Sequence, residues 1–332
     1  MLDNYKSWNV TETRLKSLEE KIKNALEYGI LAPSTHNTQP WSIRKGKNYL
    51  VINPDFSRSL PKSDKKNRFL FISMGCLIEN VLIAAEYLRL KTKVSYQVSS
   101  DSVKITFSTS KGRKQKFDDH LISVIPERAT CRLKFNSTLI EQSVINEFKN
   151  LSTNEVEVSF INKNENSEIV KVLLDASYAS ISTDYFRREL SELIIPNKSK
   201  SYYGMPGTVL GFKNVQAILT PYLMRMVNIA PLMAIKDKAA LNSTDYFGVI
   251  STNIDNKKSW IMAGQIFEKL WLQATKEGIA LQPLASAIVN DHKKNIKNIF
   301  GVKYPQMIFR IGYVDDKKVT HSPRFPLNAI TN

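Results

Sequence analysis

The chain has 332 residues and a net charge of +16, with 42% hydrophobic and 23% charged residues. That length fits about two domains or one large mixed unit, and the composition excludes wholesale disorder and low-complexity or collagen-like classes. Two cysteines, Cys76 and Cys131, cannot build a disulfide framework, and four histidines without HExxH or paired spacing argue against a protein-built metal site.

In chain order, Leu15, Leu18, Ile22, Ala25 and Leu26 recur at helical spacing and predict a helix over residues 11–29. A capping-box-like Ser17-Leu18-Glu19-Glu20 lies near its start and Gly29 stops it. The next segment, Ala32-Pro33-Ser34-Thr35-His36-Asn37-Thr38-Gln39-Pro40-Trp41, is expected to be a stiff polar loop outside the core. Residues 49–52 predict a short strand. Residues 69–90 are apolar almost all round, which predicts a buried central helix. Residues 94–98 and 103–107 alternate and read as an antiparallel pair.

After a charged stretch at 111–116, a second unit begins with Arg128-Ala129-Thr130-Cys131-Arg132. A helix near 140–150, a strand at 156–161, a helix near 167–193 and a strand at 247–250 are expected. Trp260, Ala263, Gly264, Phe267, Leu270, Trp271 and Ala274 share one face of another helix, ended by Gly278. Residues 307–312 predict a final buried strand. Each half has an apolar central helix and a few strands. The fold class expected is α+β, with no repeat detectable residue by residue.

Four places carry possible chemistry. The loop Pro33 to Trp41 is dense in Asn, Gln, Ser and Thr, which match a heterocycle edge or simply form a surface turn. Arg128-x-Thr130-x-Arg132 suits a phosphate, through guanidinium forks and a hydroxyl, or is an exposed basic turn. Residues 278–286 form a helix stop and a turn whose backbone N–H groups can face a ligand. Ser322-Pro323-Arg324-Phe325-Pro326 holds an arginine fit for an anion, or caps the domain. There is no GxSxG, Walker A or GxGxxG motif, so a bound cofactor is expected to carry any hard chemistry.

Of the 47 basic residues 34 are lysines, scattered in short groups, so no nucleic-acid partner is expected. The longest apolar-rich stretch, residues 223–235, is broken by Arg225, Asn228 and Pro231 and falls short of the ~20 residues of a spanning helix. The first ten residues lack the apolar core of a signal peptide. The expectation is a soluble, cytoplasmic protein with no membrane partner.

These segments, taken in order, resemble the nitroreductase-like flavoproteins, and most closely the Acg-type subfamily with two such halves fused in one chain. The resemblance rests on the Ala32 to Trp41 segment, Ile72-Ser73-Met74-Gly75-Cys76 before a long apolar helix, and Glu127 to Arg132. It also rests on Ala263-Gly264-Gln265, Gly278-Ile279-Ala280 with Pro283-Leu284, and Arg310-Ile311-Gly312-Tyr313 with Ser322-Pro323-Arg324. Together these run from about residue 25 to 327.

The resemblance implies a pseudo-dimer of halves at residues 1–125 and 126–332, with a possible lid at 196–231. It implies one FMN per chain, held where the halves meet. Arg128, Thr130 and Arg324 would hold the phosphate, and Arg132 would lie near flavin N1 and O2, where a positive charge stabilises the reduced ring. Pro33, Ser34, Thr35 and Asn37 would approach from the other half, and the backbone at Leu284, Ala285 and Ser286 would lie near flavin N5. The implied activity is an FMN-dependent oxidoreductase passing electrons from NADH or NADPH to a quinone, nitroaromatic or other small acceptor. The alternative is a flavin-sequestering protein with a covered cofactor and little turnover. A monomer with an internal pseudo-dimer, or a homodimer, fits either. Three departures stand out. The first half has only Thr11-Glu12-Thr13-Arg14 where a second phosphate motif would lie, the second half lacks a second loop of the Pro33 to Trp41 kind, and Phe325 replaces a second arginine.

Overall fold

The computed structural model describes residues 2–10, 15–110, 120–315 and 320–331. The charged stretch at 111–116 and Thr11 to Arg14 lie outside these. Helix α1 (Leu18–Gly29) opens on Ser17, whose side chain and that of Glu20 complete a reciprocal capping box. Strands β1 (Trp41–Lys45) and β2 (Tyr49–Pro54) follow, then helix α2 (Arg68–Tyr87) and strands β3 (Leu90–Gln97) and β4 (Ser102–Thr109). All neighbours are antiparallel in the order β1-β2-β4-β3.

The second half repeats this plan. Helix α3 (Gln142–Lys149) and strand β5 (Val156–Asn162) are followed by helices α4 (Glu168–Ser182) and α5 (Asp184–Leu193). Two-residue strands β6 (Ile194–Ile195) and β7 (Met205–Pro206) precede helices α6 (Asn214–Met226) and α7 (Ala230–Asn242). Strand β8 (Tyr246–Thr252), helix α8 (Lys257–Lys276) and strand β9 (Ala280–Pro283) lead through α9 (Ser286–Val289) and α10 (Lys293–Phe300) to β10 (Tyr304–Gly312). This sheet is also antiparallel, ordered β5-β8-β10-β9. Each sheet therefore places its first, second, fourth and third strands side by side, and each has its long helix between the second and third. One difference is large. Residues 46–48 join the first two strands in the first sheet, whereas residues 163–245, with α4 to α7, join them in the second.

Helices α2 and α8 cross at two glycines. A Cβ on Gly75 would lie 2.1 Å from the Ile261 carbonyl oxygen, and one on Gly264 would lie 2.0 Å from that of Ile72. The contacts are reciprocal: Ile72-x-x-Gly75 meets Ile261-x-x-Gly264. Both helices bury apolar side chains on most sides, and the core runs continuously through this crossing. Helix α2 has the length and hydropathy of a membrane span, but 83% of its apolar window is buried against the rest of the chain.

Several expectations change. Trp41 is not in an exposed loop: it starts β1 and is fully buried, as are Asn37, Thr38, Gln39 and Pro40 or nearly so. The helix expected over 167–193 breaks at Thr183, whose backbone is extended (ψ 123°), giving α4 and α5. The turn expected at 278–286 contains β9, the edge strand beside β10. The C-terminal segment returns to the first half, where Ile43 donates its N–H to the Ile330 carbonyl and Thr331 pairs with Ile43.

Candidate functional site

The loop before β1 is held in an unusual conformation. His36 (φ 52°), Asn37 (φ 59°) and Gln39 (φ 46°) all take left-handed backbone without being glycine. Each such residue costs on the order of 1 kcal/mol or more and persists only where its surroundings hold it. Here they do. Ser34 Oγ accepts from Gln39 N, Asn37 Nδ2 donates to the Gly204 and Pro323 carbonyls, and Gln39 Nε2 donates to the Tyr202 carbonyl. Gln39 Oε1 accepts from Phe325 N, and Asn37 Oδ1 accepts from Arg324 at 2.8 Å. The loop thus ties together residues 202–204 of the insertion and residues 323–325 of the tail. The amides of Asn37 and Gln39 are committed to protein atoms rather than offered to a heterocycle. Asn37 therefore positions Arg324.

Two arginines converge beside this loop. Arg324, from the tail, is buried and donates to the Leu31 and Ala32 carbonyls, while its Nε has no partner. Arg128 is buried, donates to the same Leu31 carbonyl, and lies with its Nε 3.2 Å from Glu268 Oε1. Glu268 comes from α8 and is fully buried. Burial raises its carboxyl to about 7 against the lowering pull of Arg128. Burial and the Arg128 charge lower Arg324 to about 9, so it stays protonated at neutral pH. The indole of Trp8 lies 4.7 Å beneath the Arg324 guanidinium and stacks on His321 at 3.8 Å. Burial, with Arg128 and then Arg324, holds His321 neutral at about 3, and its Nδ1 also has no partner. Pro33, Ser34, Asn37, Arg128, Thr130, Arg132 and Arg324 line the cavity between these groups, about 80 Å³ in volume.

Thr130 is placed by a bridge to Leu281 at the edge of β9, where Cys131 N donates to the Leu281 carbonyl. Arg132 stands where three cavities meet, of about 80, 270 and 390 Å³. It donates to the Val209 carbonyl at 2.9 Å, so the insertion closes over it. His36 faces Arg132, and burial together with that charge lowers the imidazole to about 4. Leu284, Ala285 and Ser286 line the 270 Å³ cavity with Arg132 and His36. The Leu284 N–H is already used, donating to the Ile308 carbonyl at 2.8 Å. Thr35 lines none of these cavities; its carbonyl accepts from Thr38 N inside the turn. The structure thus brings seven of the expected residues around one anion-sized cavity and three around a neighbouring apolar one.

Sequence reasoning missed Trp8, His36, Glu268 and His321. Only His36 carried a usable signal, since it sits inside the singled-out loop. The others arrive from the N-terminal segment, α8 and the tail, each by a long-range contact. Among the described residues no group of three His, Cys, Asp or Glu could hold a metal.

The donor set fits the phosphate of FMN. Two buried guanidinium charges, the Thr130 hydroxyl and the unpartnered Arg324 Nε suit a dianion, while the other Arg324 nitrogens donate to Asn37 and to backbone carbonyls. A flavin ring needs more room than 80 Å³, and the adjoining space lies past Arg132, beneath residues 205–211.

No family model matches the chain. Two Mycobacterium tuberculosis proteins with the provisional name NAD(P)H nitroreductase are each 22% identical over 326 residues, spanning 94% of this chain and 91% of theirs. The crystal structure of a provisional nitroreductase from Anabaena variabilis superposes with a TM-score of 0.53 over 94% of this chain and 91% of that one, at 10% identity. The fold is the nitroreductase-like one along nearly the whole chain.

Proposed function

We propose that this nitroreductase-like chain is an FMN-dependent NAD(P)H oxidoreductase. The observation that carries the reading is the convergence of Arg128 and Arg324, with an unpartnered Arg324 Nε, on a cavity walled by the loop at 33–37, by residues 128–132 and by the returning tail. The full-length likeness to relatives named as NAD(P)H nitroreductases supports it. We read residues 1–125 and 126–332 as the two halves, with 320–331 crossing back.

FMN, when bound, would supply the redox chemistry, hydride uptake from NADH or NADPH and electron delivery to a quinone or nitroaromatic acceptor. The chain's residues bind and screen. Arg324, Arg128 and Thr130 would hold the phosphate, with Glu268 keeping Arg128 oriented. Arg132 would supply a positive charge to stabilise the reduced flavin. His36, kept neutral beside Arg132, leaves that charge uncompensated. Leu284, Ala285 and Met205 supply apolar wall to the adjoining cavity.

One observation favours the second reading, a flavin-sequestering protein with little turnover. The Val209 carbonyl is latched to Arg132, and Tyr202 and Gly204 are latched to the loop at 37–39. One experiment separates the outcomes. The purified protein is saturated with FMN, its flavin is released by heat and counted, and anaerobic bleaching by NAD(P)H is timed. One flavin per chain with fast bleaching supports the oxidoreductase; one flavin with slow bleaching supports sequestration; no flavin overturns both.

A further inference from the structure

The helical insertion carries an apolar face turned outward. Along α6, Val215, Ile218, Leu219, Tyr222, Leu223 and Met226 recur at three- and four-residue spacing, the pattern of a helix face made to be buried. All six are exposed, Val215 at 66% and Met226 at 81%, whereas only Ala217 and Met224 of this helix are buried. In the turn and in α7, Val227, Leu232 and Ile235 are exposed as well, the last at 71%. Nothing comparable occurs elsewhere among the described residues, where exposed apolar side chains are scattered or paired.

The charged residues of the insertion itself are mostly basic, while α5, packed against α6, adds Asp184, Glu189 and Glu192 beside Arg187 and Arg188. Residues 196–242 contain Lys198, Lys200, Lys213, Arg225 and Lys238, and Lys236, whose ammonium turns inward to the Leu210 carbonyl, against one acid, Asp237, whose carboxylate accepts from Ser177. The whole chain carries +16. A second copy seated on this face would bring two net-basic rims together, because Asp184 of the neighbouring α5 is already paired with Arg187 and Arg188 and Glu189 accepts from the Lys62 and Ser63 backbone. An anionic lipid surface answers both features: its acyl boundary takes the apolar face and its headgroups take the lysines.

We propose that α6, with the start of α7, docks this protein on anionic membrane surfaces, lying in the interface without crossing the bilayer. The expectation of no membrane partner rested on the lack of a spanning segment, and an interfacial helix needs none. The proposal is independent of the oxidoreductase reading. It has a consequence for it, because Met224, Ile229 and Met233 of the same segment wall the cavity that reaches Arg132 and His36. Docking sets the apolar end of that cavity beside the lipid.

The test is co-sedimentation of the full-length protein with phosphatidylcholine vesicles made with or without phosphatidylglycerol. The expected result is binding to the anionic vesicles, weakened by salt, with each basic residue at the surface adding roughly fivefold. The triple substitution Leu219→Ser, Leu223→Ser and Met226→Ser removes three exposed side chains and should weaken binding by about tenfold or more. Lys213→Glu with Lys238→Glu should weaken it without touching the apolar face, and Val98→Ser, exposed on the other half, should leave it unchanged. Circular dichroism checks that each variant is folded. Absence of binding to anionic vesicles overturns the proposal. So does binding unaffected by both sets of substitutions, or a concentration-dependent dimer that the triple variant abolishes with no lipid bound.

Discussion

Arg128→Ala tests the phosphate assignment, and the structure changes what it should do. The guanidinium is buried and faces Glu268 Oε1 at 3.2 Å, so its removal has two effects. A lost charge-assisted contact to the phosphate weakens FMN by ~1.5–3 kcal/mol, about 10- to 150-fold. Leaving Glu268 buried and unpaired destabilises the fold by up to ~3–5 kcal/mol. The second effect is partly relieved at neutral pH, because a carboxyl already raised to about 7 takes up a proton when its partner goes. Fold and phosphate are separated by titrating FMN and riboflavin in parallel by flavin fluorescence, in the wild-type and Glu268→Gln backgrounds. Any loss of folded protein affects both ligands equally, so the ratio of their affinities isolates the phosphate. FMN should lose about 10- to 150-fold, while riboflavin changes by less than about threefold. Equal losses for the two ligands would refute the assignment.

Three further outcomes follow from named contacts. Burial raises Glu268 from the ordinary 4.5 to about 7, so its contribution to stability is full below about 4.5 and is lost as pH rises through about 7. Glu268→Gln should remove that dependence, a slope of at most ~1.4 kcal/mol per pH unit. Denaturant melts over this range decide it, read as the difference between variant and wild type because Glu79 and Asp64 are raised in the same direction. Gln39→Ala removes the contacts to Tyr202 and Phe325, at 2.7 and 3.0 Å, and should speed flavin reduction by NAD(P)H in stopped flow if the insertion gates the site; an unchanged rate removes the gating role. Gly264→Val forces a side chain against the Ile72 carbonyl and should lower the melting temperature by an amount matching ~3 kcal/mol or more, whereas a change under ~1 kcal/mol would mean the helices separate freely.

The central helices, the strands at 49–52, 103–107 and 307–312 and the capping box at Ser17 were legible because local periodicity and burial agree there, although the helix expected over 11–29 begins only at Leu18, where that box caps it. The repeated plan was legible only as a pair of apolar helices. It becomes plain in strand order and in the Gly75–Gly264 contact, which pair residues 189 positions apart and leave no local trace. The loop at 33–41 was located by composition but misread in character. Its polar side chains looked solvent-facing, yet they are buried because each finds a backbone partner on the insertion or the tail. Glu268 was invisible for the same reason: a glutamate on an amphipathic helix reads as surface until Arg128 arrives from 140 residues away.

The duplicated plan bears directly on how many flavins a chain should hold. If α2 and α8 are equivalent, the loop between α1 and β1 has a counterpart between α3 and β5, residues 150–155. That counterpart is a closed turn. Thr153 N donates to the Val156 carbonyl, Ser152 Oγ accepts from Val158 N, and Thr153 Oγ1 accepts from Val156 N. None of residues 150–155 takes a left-handed backbone, and Glu155 brings an acid where an anion site needs donors. The tail adds to the asymmetry, because Arg324 reaches the Leu31 and Ala32 carbonyls of the first half alone. A second copy of the site would need both a strained donor loop and a returning arginine. Each exists once among the described residues, so we expect one FMN per chain, and two flavins released per chain by heat would refute this.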